Sequence, residues 1–248
     1  MNVWFHKPPC RPRSEGRSAG RRGPPGRPRQ VLVTGFGPFP GVAENPSATI
    51  AARLADRPPP GLRIVSRILP TTWSVLPAVP GPVARAGAEI VLHVGVAAGT
   101  VRPRLEAVAW NRCAALADAE GRRPAGASLA AASPGRLRPQ VAAGRIAMAV
   151  RRAGRAVDVS HSAGAYLCNA VFFHSLAAAR RPRAPTVAFL HVPMPGPRRG
   201  GRLEDLADLA AAVVEALARR PVRPRALSRT PARVRGSGRS RASAPSAW

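Results

Sequence analysis

A three-layer α/β/α sandwich around a largely parallel or mixed central sheet is the fold class that this 248-residue sequence predicts. Short apolar runs closed by glycine recur along it, and such runs read as buried strands. Between them lie segments with apolar residues at helical spacing. Strands alternating with helices give an α/β fold, whose sites lie beyond the carboxyl ends of the strands. The segment 203–220 adds a third observation. Leu206, Leu209, Val213 and Leu217 share one stripe, with acids in the first turn and arginines in the last.

The elements follow in order. Residues 1–29 are rich in Pro, Gly, Arg and Ser without an apolar period, which predicts a disordered basic tail. Val31-Leu32-Val33 opens a strand within VLVTGFGPFPG, and Pro46 suits the first turn of a helix over 46–56. RIVSRIL, 63–69, is a strand followed by a proline-punctuated loop, and AEIVLHVGV, 88–96, is the clearest buried strand. RLEAVAWN, 104–111, reads as one further strand and 112–142 as loop. A helix over 144–154 stops at Gly154, and a strand over 156–164 enters a loop. A long helix with an apolar face and a basic end covers 165–181. TVAFLHVPMPG, 186–196, is the last strand before the helix over 203–220. A single domain is therefore expected over 30–218, followed by a disordered Arg-rich tail over 219–248.

The formal net charge is +27, but the two tails hold +16 of it and leave +11 for the 189 residues between them. Only one lysine, Lys7, stands among 39 basic residues. A surplus of Arg, Ala, Pro and Gly with almost no Lys reads as base-composition bias in the coding DNA. Nonspecific polyanion binding by the tails is the other reading. The three cysteines, Cys10, Cys113 and Cys168, are odd in number and sparse, which argues for a reducing compartment, most simply the cytoplasm. No stretch of about 18 apolar residues exists, so no membrane span is expected. The histidines and cysteines, His161 and His174 near Cys168 included, lack zinc-ligand spacing. Neither metal nor cofactor is expected.

Three polar residues stand in apolar surroundings. Cys168 lies just inside a predicted helix start after a glycine turn, where peptide dipoles and free N–H groups favour a thiolate. A small buried hydrophobe is the plainer reading of a free cysteine. His191 follows 23 residues later at the end of TVAFLH. It is either a core histidine bonded to backbone or the base of a Cys–His pair. One crossover separates the two, and in a parallel sheet that makes their strand ends neighbours. Glu106 interrupts an apolar strand, which is costly unless the acid is paired. It either orients His191 or faces solvent from an edge strand.

Three separated segments resemble the pyroglutamyl-peptidase I family of cysteine peptidases, over about residues 30–218. VTGFGPFPGVAENPS, 33–47, is similar to its N-terminal signature, with two phenylalanines and an Asn-Pro. RLEAVAWN resembles the segment with its catalytic glutamate, and SHSAGAYLCN with FLHVP its cysteine and histidine segments. The resemblance implies Cys168 as nucleophile, His191 as general base and acid, and Glu106 as the orienting carboxylate. It implies peptides with an N-terminal pyroglutamyl residue as substrates, cleaved after that residue, and a homo-oligomer, commonly a tetramer. Phe36 and Phe39 would sandwich the flat lactam ring. Asn45 would offer its carboxamide to the lactam, cap the helix at Pro46, or both, and Tyr166 would form a further wall. The family usually carries an arginine directly after the glutamate, where Ala107 stands, and another about ten residues on, where Leu116 falls. The loop Gly99-Thr100-Val101-Arg102-Pro103 also departs from the usual Gly-Arg pattern. Arg102, Arg104 and Arg112 are the available substitutes.

Two other motifs carry little. Gly16-Arg17-Ser18-Ala19-Gly20 matches G-x-S-x-G but has no strand before it. Gly35-x-Gly37 follows a strand, but Pro38 and Pro40 spoil a dinucleotide turn. The function expected is that of a pyroglutamyl-specific cysteine exopeptidase. The alternatives are a catalytically weak or inactive homologue of that fold, and a polyanion-binding protein acting through its tails.

Overall fold

The computed structural model describes residues 27–79, 87–181, 184–196 and 201–219. Most of both expected tails, with the Gly16-to-Gly20 motif, lies outside the described residues. Strand β1, Arg29–Phe36, begins one residue inside the segment expected as tail, and Arg29 pairs with Glu89 at 2.9 Å. Helix α1, Pro46–Asp56, matches its expected bounds, with Asn45 as the N-cap accepting from the Ser47 N–H. Strand β2, Leu62–Leu69, is followed by a 3₁₀ turn at Trp73–Ala78 where the sequence suggests only loop. Strand β3 is Ile90–Val96. The strand expected over 104–111 is two pieces, β4 Arg104–Glu106 and β5 Ala109–Trp110. Within the expected loop, β6 at Arg136–Leu137 pairs antiparallel with β5. Helix α2 is Ala143–Arg152, β7 Asp158–Ser160, α3 Leu167–Ala178, β8 Thr186–Val192 and α4 Leu203–Ala218. No helix of the described residues is long and apolar enough to cross a membrane.

The main sheet has the order β2-β1-β3-β8-β4-β7. Its first four strands are parallel, whereas β4 runs antiparallel to β8 and parallel to β7. The sheet is thus mixed. Loop 97–103 joins β3 to β4. A parallel crossover needs a dozen or more residues, so the chain has to turn back. One expectation fails for this reason. The strands flanking Cys168 and His191, β7 and β8, are not neighbours, because β4 lies between them.

Period-two alternation sorts the side chains into two cores. Val31, Val33, Ile90, Leu92, Val94, Leu105, Ala188, Leu190 and Val192 face α1, α2 and α4. Each Leu or Val that α4 buries there gains about 1.5–3 kcal/mol. Leu32, Val91, Val187 and Phe189 face the other way, under α3. Helix α3 buries Leu167, Ala170, Val171, Phe172, Phe173 and Leu176, more than one face, as expected of a helix covered on several sides. Alternation therefore puts His93, Gly95, Arg104, Glu106 and His191 on the α3 side of the sheet.

Candidate active site

The site grows from where α3 meets that face. Cys168 is the second residue of α3, half-buried, behind an extended Tyr166 and with no acid in the first turn. First-turn N–H groups have no intrahelical partner, and the helix dipole favours an anion there. A Cβ on Gly95 would stand 2.9 Å from Cys168 Sγ and 2.9 Å from the Phe189 ring. The thiol thus rests on a bare stretch of β3 that only glycine leaves open. His191 is the register partner of Gly95 on β8, so the imidazole stands beside the thiol. The juxtaposition comes from α3 crossing back over the sheet, since the strand ends themselves are apart.

His191 is buried, and its Nδ1 donates to Glu106 Oε1 at 2.7 Å. Antiparallel β4 supplies that carboxylate from the last residue of the strand. With Nδ1 engaged, Nε2 is left for Cys168. Burial alone would lower the His191 pKa, but hydrogen bonds and charge from Cys168 and Glu106 push it up to about 9. The arrangement can hold a thiolate–imidazolium pair. Asn169, fully buried, ties the second sheet to α3: its Oδ1 accepts from Trp110 N at 2.8 Å and its Nδ2 donates to Trp110 O at 2.8 Å. Ser175, seven residues after Cys168 on α3, meets buried His93 Nε2 at 2.8 Å, and His93 Nδ1 meets Thr34 Oγ1 at 2.7 Å. Burial holds His93 far down, at about 3, so it is neutral and fixes α3 on β3 and β1.

A slot of about 90 Å³ opens beside the thiol. Phe36, Phe39, Val96 and Leu167 give it apolar walls, with Tyr166, Asn45 and Thr71 also lining it. The Asn45 oxygen is engaged by Ser47 N and Ser47 Oγ, and its Nδ2 donates to Gly37 O at 2.9 Å. Asn45 is thus the helix cap, with one amide hydrogen left for a ligand. Gly35 has a packing role: a Cβ there would meet Ser47 O at 2.3 Å, where α1 abuts β1. Tyr166 donates to Ala117 O at 2.9 Å and packs edge-on against Trp73 at 5.4 Å. Asp118 organises that wall. Burial pushes its carboxyl up, but the backbone N–H groups of Trp73, Arg122 and Glu120 outweigh this and hold it below the usual range. A larger groove of about 430 Å³ between α1 and α4 is lined largely by charged residues, Arg53 and its partner Glu204 among them, and has no nucleophile.

The structure brings together Cys168, His191, Glu106, Phe36, Phe39, Asn45 and Tyr166. Leu116 is exposed on the wall loop, where its carbonyl accepts from Trp73 Nε1 at 3.0 Å. Of the three substitute arginines, Arg102 lies 3.7 Å from Asp158, Arg112 sits 5.4 Å over Trp110, and Arg104 is directly across from His191. Gly95, Thr71, Asp118 and Asn169 escape the sequence reading. For Asp118 a signal existed, an Asp three residues before a glycine, Gly121, in a turn. The close approach at Gly95 leaves no local trace.

Comparison with known proteins follows the same lines. Residues 29–198 match the pyroglutamyl peptidase family. The chain is 30% identical over 171 residues to a pyrrolidone-carboxylate peptidase of Vibrio vulnificus, covering 67% of this chain and 79% of that one. The fold is similar to the crystal structure of pyroglutamyl peptidase I from Bacillus amyloliquefaciens, with a TM-score of 0.72 and 25% identity over 77% of this chain and 96% of that one. It is also similar to the pyrrolidone carboxyl peptidase of Thermus thermophilus, with a TM-score of 0.67 and 30% identity over 75% and 99% of the two chains.

Proposed function

The chain belongs to the pyroglutamyl peptidase family, and on that premise we propose that it removes N-terminal pyroglutamyl residues from peptides with Cys168 as nucleophile, His191 as acid and base, and Glu106 as the carboxylate that orients His191. The observation that carries this reading is the Glu106–His191 contact of 2.7 Å next to a thiol at a helix start, against a small apolar slot. A pyroglutamyl residue has no charged N-terminus, so an apolar slot with few hydrogen-bonding groups selects it over a free amine. Phe36 and Phe39 flank its ring, and the spare Asn45 amide hydrogen faces its oxygen.

The Cys168 thiolate attacks the carbonyl carbon of the pyroglutamyl residue, forming a C–S bond and an oxyanion. The free N–H groups at the start of α3 face that oxyanion. Collapse breaks the C–N bond as the His191 imidazolium gives its proton to the leaving amine. His191, now neutral, takes a proton from water, whose oxygen attacks the thioester. The C–S bond breaks, pyroglutamic acid leaves and the thiolate returns. Throughout, Glu106 holds Nδ1–H and stabilises the imidazolium.

The free thiols of Cys113 and Cys168 support a reducing, cytoplasmic location. Family resemblance supports a homo-oligomer, commonly a tetramer, which light scattering tests. The function is tested with pyroglutamyl and prolyl amides of one aminocoumarin. The pyroglutamyl amide alone should be cleaved, and Cys168→Ala should abolish cleavage without loss of fold. Absence of turnover, or full activity in the alanine variant, overturns the assignment.

A further inference from the structure

Arg104 stands next to the site, and no side chain of the described residues pairs with it. It is half-buried, its Nε is buried without a partner, and its side chain forms no hydrogen bond or ion pair among the described residues. Its cross-strand neighbour on β7, Asp158, lies instead 3.7 Å from Arg102 and 3.8 Å from Arg151. The other nearby acid, Glu106, holds His191 through Oε1, and its Oε2 is buried without a hydrogen-bond partner, so the two groups on this face of β4 do not bond each other. A half-buried guanidinium left unpaired is costly, and such a cost is retained where the group meets a ligand.

The sheet order says which part of a ligand it meets. Strands β1, β3, β8 and β4 are consecutive, and neighbouring strands lie about 4.8 Å apart. Across them run the slot wall at Phe36 and Val96, the thiol over Gly95, His191, and then Arg104, which is in register with His191. Directly opposed side chains have Cβ atoms about 4.5–5.5 Å apart. The pyroglutamyl ring occupies the β1 and β3 end, and the scissile nitrogen lies against His191. The residue released therefore extends toward β4.

Resting on the function proposed above, we propose that Arg104 binds a carboxylate on the residue that follows pyroglutamate, so that this enzyme favours substrates with an anionic leaving residue. The carboxylate is either the free α-carboxylate of a pyroglutamyl dipeptide or an acidic side chain in a longer peptide. Arginine suits both, because its planar fork takes a carboxylate in two hydrogen bonds.

The test compares kcat/KM of the full chain on four compounds: pyroglutamyl-alanine, pyroglutamyl-alanine amide, pyroglutamyl-glutamate amide and an uncharged pyroglutamyl aminocoumarin. Preference over the alanine amide should be on the order of fivefold, the upper range for an ion pair open to solvent. Pyroglutamyl-alanine shows it if the α-carboxylate is read, and the glutamate amide if the side chain is read. Arg104→Ala should bring the ratio to about one through KM, and Arg104→Lys should keep part of it. The loss on the aminocoumarin, which carries no carboxylate, should be smaller in both variants than the loss on the preferred peptide, and a thermal melt reports on their folding. Equal rates for all peptides in the wild type, or an equal loss on the aminocoumarin in Arg104→Ala, overturn the proposal. If the wild type cleaves nothing, the reading of the site itself fails. Protection of Cys168 from iodoacetamide by the acid and the amide then gives the same ratio, and equal protection overturns the role of Arg104.

Discussion

Gly95→Ala places a methyl group where Cys168 and Phe189 already meet. The new carbon would lie 2.9 Å from Cys168 Sγ, 2.9 Å from Phe189 Cζ and 3.1 Å from Phe189 Cε1. Ordinary contacts are about 3.5–4.0 Å, so something must retreat by about 0.6–1 Å. Phe189 is fully buried between Phe172, at 5.5 Å, and His191, at 4.8 Å. Cys168 has a short side chain beside an open slot, so the thiol moves. A misplacement of about 1 Å costs about 10²-fold in rate. Stability should suffer less. Overpacking costs about 1–3 kcal/mol. Because Gly95 is not among the positive-φ glycines, the stiffer unfolded chain returns about 0.4–1 kcal/mol. The assay is kcat/KM on a pyroglutamyl aminocoumarin, with a thermal melt and the rate of Cys168 alkylation alongside. A folded Gly95→Ala protein with wild-type kcat/KM would refute the placement of the thiol on β3. Adding Phe189→Leu, which empties the ring side of the clash, should recover part of the rate.

Three further outcomes are expected. Because the His191 pKa is raised to about 9, the proton for the leaving amine is lost above that pH, and kcat/KM should fall on an alkaline limb near 9. The native state binds this proton more tightly than the unfolded one, so its stabilisation is complete below about 6.5 and is lost as pH rises toward 9. Melts of wild type and His191→Gln should therefore converge across that window, and a gap that widens with pH contradicts the assignment. Leu116 is 54% exposed, so Leu116→Arg buries no charge and should change stability by less than about 0.5 kcal/mol. It should raise kcat more than it lowers KM, whereas Ala107→Arg should not, because Ala107 packs against the core on the other side of the sheet; a folded Leu116→Arg variant without gain points instead to loop 99–103. Deleting residues 1–26 and 221–248 should leave the melting temperature and hydrolysis nearly unchanged while weakening salt-dependent binding to DNA. A large loss of either would show that a tail packs on the domain.

The chain's periodicities were enough to reveal most of its layers. The runs around Val31–Val33, Ile90–Val94 and Val187–Leu190 are apolar because both faces of each strand are covered, and the stripe Leu206, Leu209, Val213, Leu217 marks the helix that covers one of them. Asn45-Pro46 marked the start of α1 to the residue, since capping is a local contact. The candidate residues Cys168, His191 and Glu106 stood out because each is a polar group in an apolar context, but that context left a plain structural reading open for each, and the resemblance of their segments to the family was what selected them. What tertiary structure alone decided is how they meet. Strand direction depends on which strands the chain lies beside, so the antiparallel β4 that delivers Glu106 to His191 and sets Arg104 across from it could not be read from RLEAVAWN. The same holds for Gly95, whose lack of a side chain matters only because α3 comes back over β3 from 73 residues further along the chain to set Cys168 there. Local propensity acts over a few residues, whereas a site needs contacts between segments far apart in sequence, and only the folded sheet sets those distances.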